Sequence, residues 1–346
     1  MTPYTNMIII PSLIMGPLLT ISSNHWILAW TGLEISTLAV IPLMAQQHHP
    51  RAIEAAIKYF LIQAAASTLI LFSSITNAWT LGQWDIMQMS NTVSCTILTT
   101  ALAIKLGLAP FHFWLPEVLQ GTTTMMAMIL TTWQKLAPLS LLVMTAQSLN
   151  TPLLLMLGLT STIIGGWGGL NQTQLRKIMA FSSIAHLGWM ITILTLSIKL
   201  MLITFYIYII MTMTMFTMMK LLETNKISTT MMSWTKLPTM NTMMMLTLMS
   251  LAGLPPLTGF MPKWLILQEL TKQNMIIIAT MLALSSLLSL FFYLRISYYS
   301  TITLPPNPIN FSKQWRHKIN QKPYLAMLTT LSITLMPITP ALMTTT

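Results

Sequence analysis

The sequence predicts an all-α polytopic membrane protein: about eleven transmembrane helices forming two inverted five-helix repeats, with broken fourth and ninth helices and one C-terminal helix besides. Its composition excludes water as the main solvent. Hydrophobic residues fill 54% of the 346 positions and charged residues only 7%, against about 25% charged in a soluble domain. Apolar runs of about 20 residues, the length a helix needs to cross the hydrocarbon core, recur from end to end. They do not alternate polar with apolar residues, as the strands of a membrane barrel would. A repeated Gly-Pro pattern supplies the internal symmetry.

Hydropathy and breakers place the spans at 4–21, 24–45, 52–79, 92–119, 123–146, 152–171, 174–196, 199–223, 238–270, 275–297 and 323–343. The longest connection, near 298–322, is too short for a soluble domain. With the N-terminus on side A, the loops of that side collect Arg51, Arg176, Lys177, Lys220, Lys226, Lys236, Lys313, Arg316, Lys318 and Lys322. The other side collects only Lys199 and Lys272. Basic residues concentrate on the cytoplasmic or matrix side, so side A is that side, and the odd helix number puts the C-terminus opposite. The formal charge of +11 then faces anionic head groups and a partner surface, and nucleic acid is not the expected partner.

A single cysteine, Cys95, excludes a cysteine-ligated iron–sulfur cluster and any internal disulfide. No CxxCH, GxGxxG or Walker-type stretch is present, so nucleotide or redox chemistry is expected to belong to another subunit. The apolar start at Ile8 reads as the first span, because no basic segment precedes it. The 32 methionines read as filler at lipid-facing positions, since nothing in their spacing forms a metal or peptide groove.

The repeat is Gly107-Leu-Ala-Pro-Phe-His-Phe-Trp-Leu-Pro-Glu117 against Gly253-Leu-Pro-Pro-Leu-Thr-Gly-Phe-Met-Pro-Lys263. Both read G-L-x-P-x5-P and then a charge. They lie in the fourth and ninth spans, five helices apart, so the copies cross in opposite directions. Inverted repeats of this kind place broken helices near the midplane. Proline removes an N–H and glycine loosens the backbone. Unwound backbone at that depth has to be covered by protein or water. The expected organisation is a first unit over 1–149, a second over 150–298, and a loop with a last helix over 299–346.

Five ionisable residues fall inside the spans. Glu34 sits halfway along the second, Lys135 halfway along the fifth and His186 halfway along the seventh; Lys105 precedes the fourth-span break and Lys263 follows the ninth-span break. Each costs about 2.5–3.5 kcal/mol on insertion scales at a helix centre. Three lysines cannot all pair with one glutamate, so some titrate or sit in water. Desolvation and neighbouring charge can tune a lysine toward neutral-pH proton exchange. The expected switch has Lys105 hold its proton while Glu34 is near and release it toward Lys135 when the two separate. Simple structural pairing of Glu34 with one lysine is the plainer alternative. His186 is read as a proton relay between Lys135 and Lys263, against a hydrogen-bonded core histidine, or a haem or metal ligand acting with His112. Glu54 and Lys58, spaced i, i+4, read as a pair near the matrix end of the third span, and Arg295 as a snorkelling side chain. Asp85, His112 and Glu117 stay open, with Glu117 placed in the polar pocket of the broken segment. Trp26, Trp84 and Trp234 fit an interfacial aromatic belt.

Several stretches together resemble the antiporter-like membrane subunits of respiratory complex I. They are His25-Trp-Ile-Leu-Ala-Trp-Thr-Gly-Leu-Glu34, Lys105 through Glu117, Thr132-Trp-Gln-Lys-Leu-Ala-Pro138, Gly165 through Lys177, Ser182-Ser-Ile-Ala-His186 and Gly253 through Lys263. The resemblance covers almost the whole chain. It implies a core membrane subunit of the mitochondrial inner membrane, N-terminus in the matrix and C-terminus in the intermembrane space. Such a subunit has no redox centre of its own and moves protons outward, driven by quinone reduction elsewhere in the complex. The resemblance further implies that Glu34 pairs with Lys105 and that Lys135 and Lys263 continue a hydrated path. No cofactor would bind here: NAD, FMN, iron–sulfur clusters and ubiquinone would belong to other subunits. Neighbouring antiporter-like chains and lipids such as cardiolipin are the implied partners. Animal members resemble this chain in lacking the first three helices of their bacterial relatives. Where the wider antiporter-like group can end its path on an acidic residue, this chain has Lys263, which leaves the exit route open. Three other classes remain: a free-standing cation/proton antiporter, a quinone- or haem-binding redox subunit, and a passive scaffold.

Overall fold

A computed structural model describes residues 3–235, 237–303 and 323–339. Lys236, Lys313, Arg316, Lys318 and Lys322, counted above on the basic side, lie outside the described residues, as does most of the connection expected within 299–346. The described residues are helical, with two isolated β-bridges between loops. Eight helices are long and apolar enough to cross a membrane, and two shorter apolar helices, Thr92–Leu106 and Tyr324–Thr334, accompany them. The chain forms two compact units, Met1–Ser161 and Thr162–Thr346.

The first unit contains α1 (Pro3–Ser22), α2 (Trp26–Met44), α3 (Pro50–Leu81), α4 (Thr92–Leu106), α5 (Trp114–Gly121), α6 (Thr124–Thr131), α7 (Trp133–Met144) and the start of α8 (Thr151–Gly169). Side chains that accept from exposed N–H groups set several starts: His25 from Ile27 N, His49 from Arg51 N, and Asn91 from Val93 N. Such caps satisfy donors that a helix cannot. The threonines and serines in the apolar runs donate to their own helix three or four residues back, as Ser73 does to Ile70 O and Thr99 to Thr96 O. That disposes of each hydroxyl internally, so a lipid-bounded helix tolerates it.

Helices α1 and α2 approach closely at two glycines. A Cβ at Gly32 would lie 2.8 Å from Gly16 O and 2.8 Å from Thr20 Cγ2. Small residues allow such backbone contact between membrane helices. Replacing Gly32 with valine should therefore separate the pair at a cost of about 1–3 kcal/mol, read as a lower thermal midpoint of the assembled complex. An unchanged midpoint would mean that the contact contributes nothing.

The second unit contains the rest of α8, then α9 (Leu175–Leu194), α10 (Ile198–Leu222), α11 (Ile227–Met232), α12 (Pro238–Ala252), α13 (Phe260–Lys272), α14 (Ile276–Ile302) and α15 (Pro323–Thr334). Helix α10 packs against α9, α12, α13 and α15 and forms the centre of this unit. Its buried Met, Thr and aromatic residues fill the core.

Several sequence expectations change. Trp26 is only 1% exposed. It is buried beside the loop after α3, where Trp26 N donates to Trp84 O and the Trp84 ring stacks on His25. Among the described residues the exposed tryptophans are instead Trp79, Trp167 and Trp264. The fifth span is divided: α6 ends at Thr131 and α7 begins at Trp133. Arg295 does not snorkel. Its guanidinium donates to Leu170 O and Gln172 O at the end of α8.

Candidate functional site

Both expected breaks are present, with the same local construction. Helix α4 ends at Gly107 (φ +75°) and α12 at Gly253 (φ +82°). Each glycine N–H turns back to two carbonyls, Ala103 O and Ile104 O in one case, Met249 O and Ser250 O in the other. The left-handed conformation at that point costs a side-chain-bearing residue about 1–2 kcal/mol, which glycine avoids. A cis X–Pro bond follows in each, at Pro110 and at Pro256. The helix then resumes at Trp114 and at Phe260.

Broken helices leave carbonyls without partners, and the two units satisfy them differently. In the first, Trp114 Nε1 donates to Ile104 O at 3.1 Å and Gln63 Nε2 reaches Lys105 O at 3.5 Å. In the second, the Lys263 ammonium donates to Ala252 O at 2.7 Å. The residue at the matching repeat position of the first unit, Glu117, faces elsewhere. Its Oε2 lies 2.7 Å from Lys58 Nζ, and Lys58 also holds Glu54 at 2.5 Å. The expected Glu54–Lys58 pair is thus present, and Glu117 completes a three-charge cluster tying α5 to α3. All three side chains are substantially exposed, so the cluster adds little stability.

Lys105 and Lys135 line one cavity in the first unit, with about 20 Å³ of space for water centres. That is enough for about one water. Tyr59 and Gln63 from α3, Ser36 and Thr37 from α2, and Gln134 from α7 share it. Both lysines are buried, at 6% and 3% exposure. Lys105 Nζ has no hydrogen-bond partner. Glu34 is half-buried and accepts weakly from Thr37 Oγ1 at 3.4 Å. Among the described residues Glu34 and Lys105 form no direct ion pair. Lys135 owes its position to the interruption at Thr132, since its N–H donates to Thr132 O and α7 restarts just before it. Gln134 Nε2, donating to Ser36 O at 3.4 Å, pins the same turn to α2.

In the second unit His186 and Lys263 meet on another cavity of about 10 Å³, with Ser182, Trp189, Ser289 and Tyr293. The His186 ring lies 5.6 Å from that of Tyr208. His112 is buried within the first break against Phe113. Among the described residues, no group of three or more His, Cys, Asp or Glu side chains gathers as a metal site would require. Sequence reasoning missed Tyr59, Gln63, Gln134, Tyr208 and Tyr293. A usable signal existed for one pair: Tyr59 and Gln63 are i, i+4 on the buried stripe of α3.

The family "NADH:quinone oxidoreductase/Mrp antiporter, TM" matches residues 23–289, and "NADH dehydrogenase subunit 2 C-terminus" matches 290–343. NADH-ubiquinone oxidoreductase chain 2 of Gallus gallus is 61% identical over 344 residues, covering 99% of each chain. The chain belongs to the NADH-ubiquinone oxidoreductase chain 2 family. The Xenopus laevis member is 59% identical over 345 residues, covering 99% of this chain and all of that one. The fold recurs in a chain of respiratory complex I from Thermus thermophilus, with TM-score 0.86 at 23% identity, covering 97% of this chain and 78% of that one. It recurs in the Mrp complex from Dietzia, with TM-score 0.79 at 16% identity, covering 95% and 74%. At these identities the likeness is one of fold. A chain 2 family member with this helix content is a multi-pass membrane subunit of complex I in the inner membrane.

Proposed function

We propose that this subunit of proton-translocating complex I carries protons on Glu34, Lys105, Lys135, His186 and Lys263. The observation that supports the reading is the pairing within each unit: two buried lysines on one water-sized cavity, and a histidine with a lysine on another. Buried ionisable groups cost too much in a bilayer to serve as filler, and the Lys105–Lys135 cavity, at about 20 Å³, holds the water a proton hop requires. Lys105 is the releasing group, because its amine lacks a hydrogen-bond partner while Glu34 stands apart from it. Movement of Glu34 toward or away from Lys105 is the switch.

The chain is non-redox in this reading. NAD, FMN, iron–sulfur clusters and ubiquinone are handled by other subunits, and quinone reduction there supplies the drive. Neighbouring antiporter-like chains and anionic lipids such as cardiolipin contact it in the inner membrane. The N-terminus faces the matrix, as the basic loops require, and protons leave on the intermembrane side. In this reading residues 1–149 and 150–298 are five-helix repeats of inverted topology, and 299–346 adds a loop and a last helix.

The test is Lys263→Met in the whole complex, reconstituted in sealed vesicles. Proton delivery should fall below wild type relative to NADH oxidised, or both should slow together where the steps are locked. A scaffold role predicts the reverse: altered assembly, with both proton delivery and NADH oxidation per assembled complex at the wild-type rate.

A further inference from the structure

Tyr293 of α14 is 1% exposed, and its hydroxyl, buried in the membrane interior, completes no hydrogen bond. The neighbouring Ser182 already donates to Met179 O at 2.7 Å, leaving only its lone pairs for the phenol. A buried hydroxyl without a partner costs about 1–3 kcal/mol, and phenylalanine would fill the same space without that cost. The ring opens on the small cavity that His186 and Lys263 share. One N–H of the Lys263 ammonium is occupied by Ala252 O, which leaves its other hydrogens to that cavity.

We propose that Tyr293 is a further proton-transfer group, its hydroxyl passing a proton between His186 and Lys263 through one water. This rests on the reading above, in which those two residues carry protons. A hydroxyl accepts on a lone pair and donates its own hydrogen, so the phenol need never ionise. The His186 imidazolium gives up an N–H proton, which reaches the tyrosine oxygen through the water. The original O–H proton leaves for the neutral Lys263 amine. His186 ends neutral, Lys263 ends as ammonium and Tyr293 is unchanged. Rotation about its C–O bond resets it.

The experiment compares Tyr293→Phe and Lys263→Met in the complete complex in sealed vesicles, reading proton delivery, NADH oxidation and the amount assembled. Tyr293→Phe should assemble normally and slow transfer through this unit by about 10²-fold, the lower end for a positioned proton-transfer group. Wild-type proton delivery by Tyr293→Phe, with Lys263→Met defective, overturns the tyrosine's role alone. Wild-type delivery by Lys263→Met overturns the underlying reading. Should Tyr293→Phe fail to assemble, a water-resolving structure of the wild-type complex decides. A water bonded to Tyr293 Oη and to His186 or Lys263 supports the proposal, and a hydroxyl bonded only to protein overturns it.

Discussion

Complex I carrying Lys135→Met should assemble, and proton delivery through this chain should stop. Methionine is unbranched and adaptable, and fits a site where the lysine is 3% exposed. Removing a buried ammonium also relieves an insertion cost of about 2.5–3.5 kcal/mol, so the fold does not suffer. What disappears is the group sharing a water-sized cavity with Lys105. A positioned proton carrier contributes about 10²–10⁴-fold to transfer, and besides Lys105 the only ionisable side chain among the described residues lining that cavity is the phenol of Tyr59, far too weak a base to replace an amine near neutral pH. The measurement is vesicle acidification against NADH consumed. The control is Lys135→Arg, which keeps the charge but cannot release a proton near neutral pH. It should be as defective as methionine. If arginine restores transport, Lys135 acts as a fixed charge and the relay is wrong.

The sequence exposed the depth of the ionisable residues but not their company. A lysine inside an apolar run stands out, because its cost in lipid is several times that of a threonine. Lys105, Lys135, His186 and Lys263 were therefore legible, as were the two Gly-Pro breaks, whose glycines and prolines act on the backbone locally. Neutral polar residues carry no such mark. Threonine and serine recur in almost every helix here and mostly serve their own backbone, so Ser182 and Ser289 were indistinguishable from the rest. Tyr59, Gln63 and Gln134 meet Lys105 only because α3, α4 and α7 converge, a long-range fact that periodicity does not contain.

The interruption at Thr132 was hidden for a related reason. No glycine or proline marks it, and its threonine hydroxyls simply turn back to Ala127 O and Met128 O. Arg295 was misread because hydropathy places it near a helix end, where a long cation usually reaches for water. Two bare carbonyls at the end of α8 offer it nearer partners.

Those carbonyls make Arg295→Met the most damaging structural change expected in the second unit. Hydrogen bonds to a charged donor contribute roughly 1.5–3 kcal/mol each, and here one guanidinium supplies both Leu170 O and Gln172 O. Losing it strands two acceptors where α8 ends against α14, so roughly 3–6 kcal/mol is at stake, a large part of a typical domain's stability. The assembled complex should fall several-fold on native gels, while the remainder keeps its protons per NADH. Arg295→Lys should recover part of the yield, since an ammonium can reach one carbonyl but lacks the planar fork to hold both. The competing anchor is apolar contact: a Cβ at Gly166 would lie 2.8 Å from Leu288 Cβ, and one at Gly169 2.7 Å from Phe292 Cδ1. Normal assembly of Arg295→Met would assign the attachment of α8 to that packing instead. Once polar groups are excluded, van der Waals packing and lipid entropy are what hold membrane helices together, so the yield of Arg295→Met reads how far those terms alone keep α8 in place.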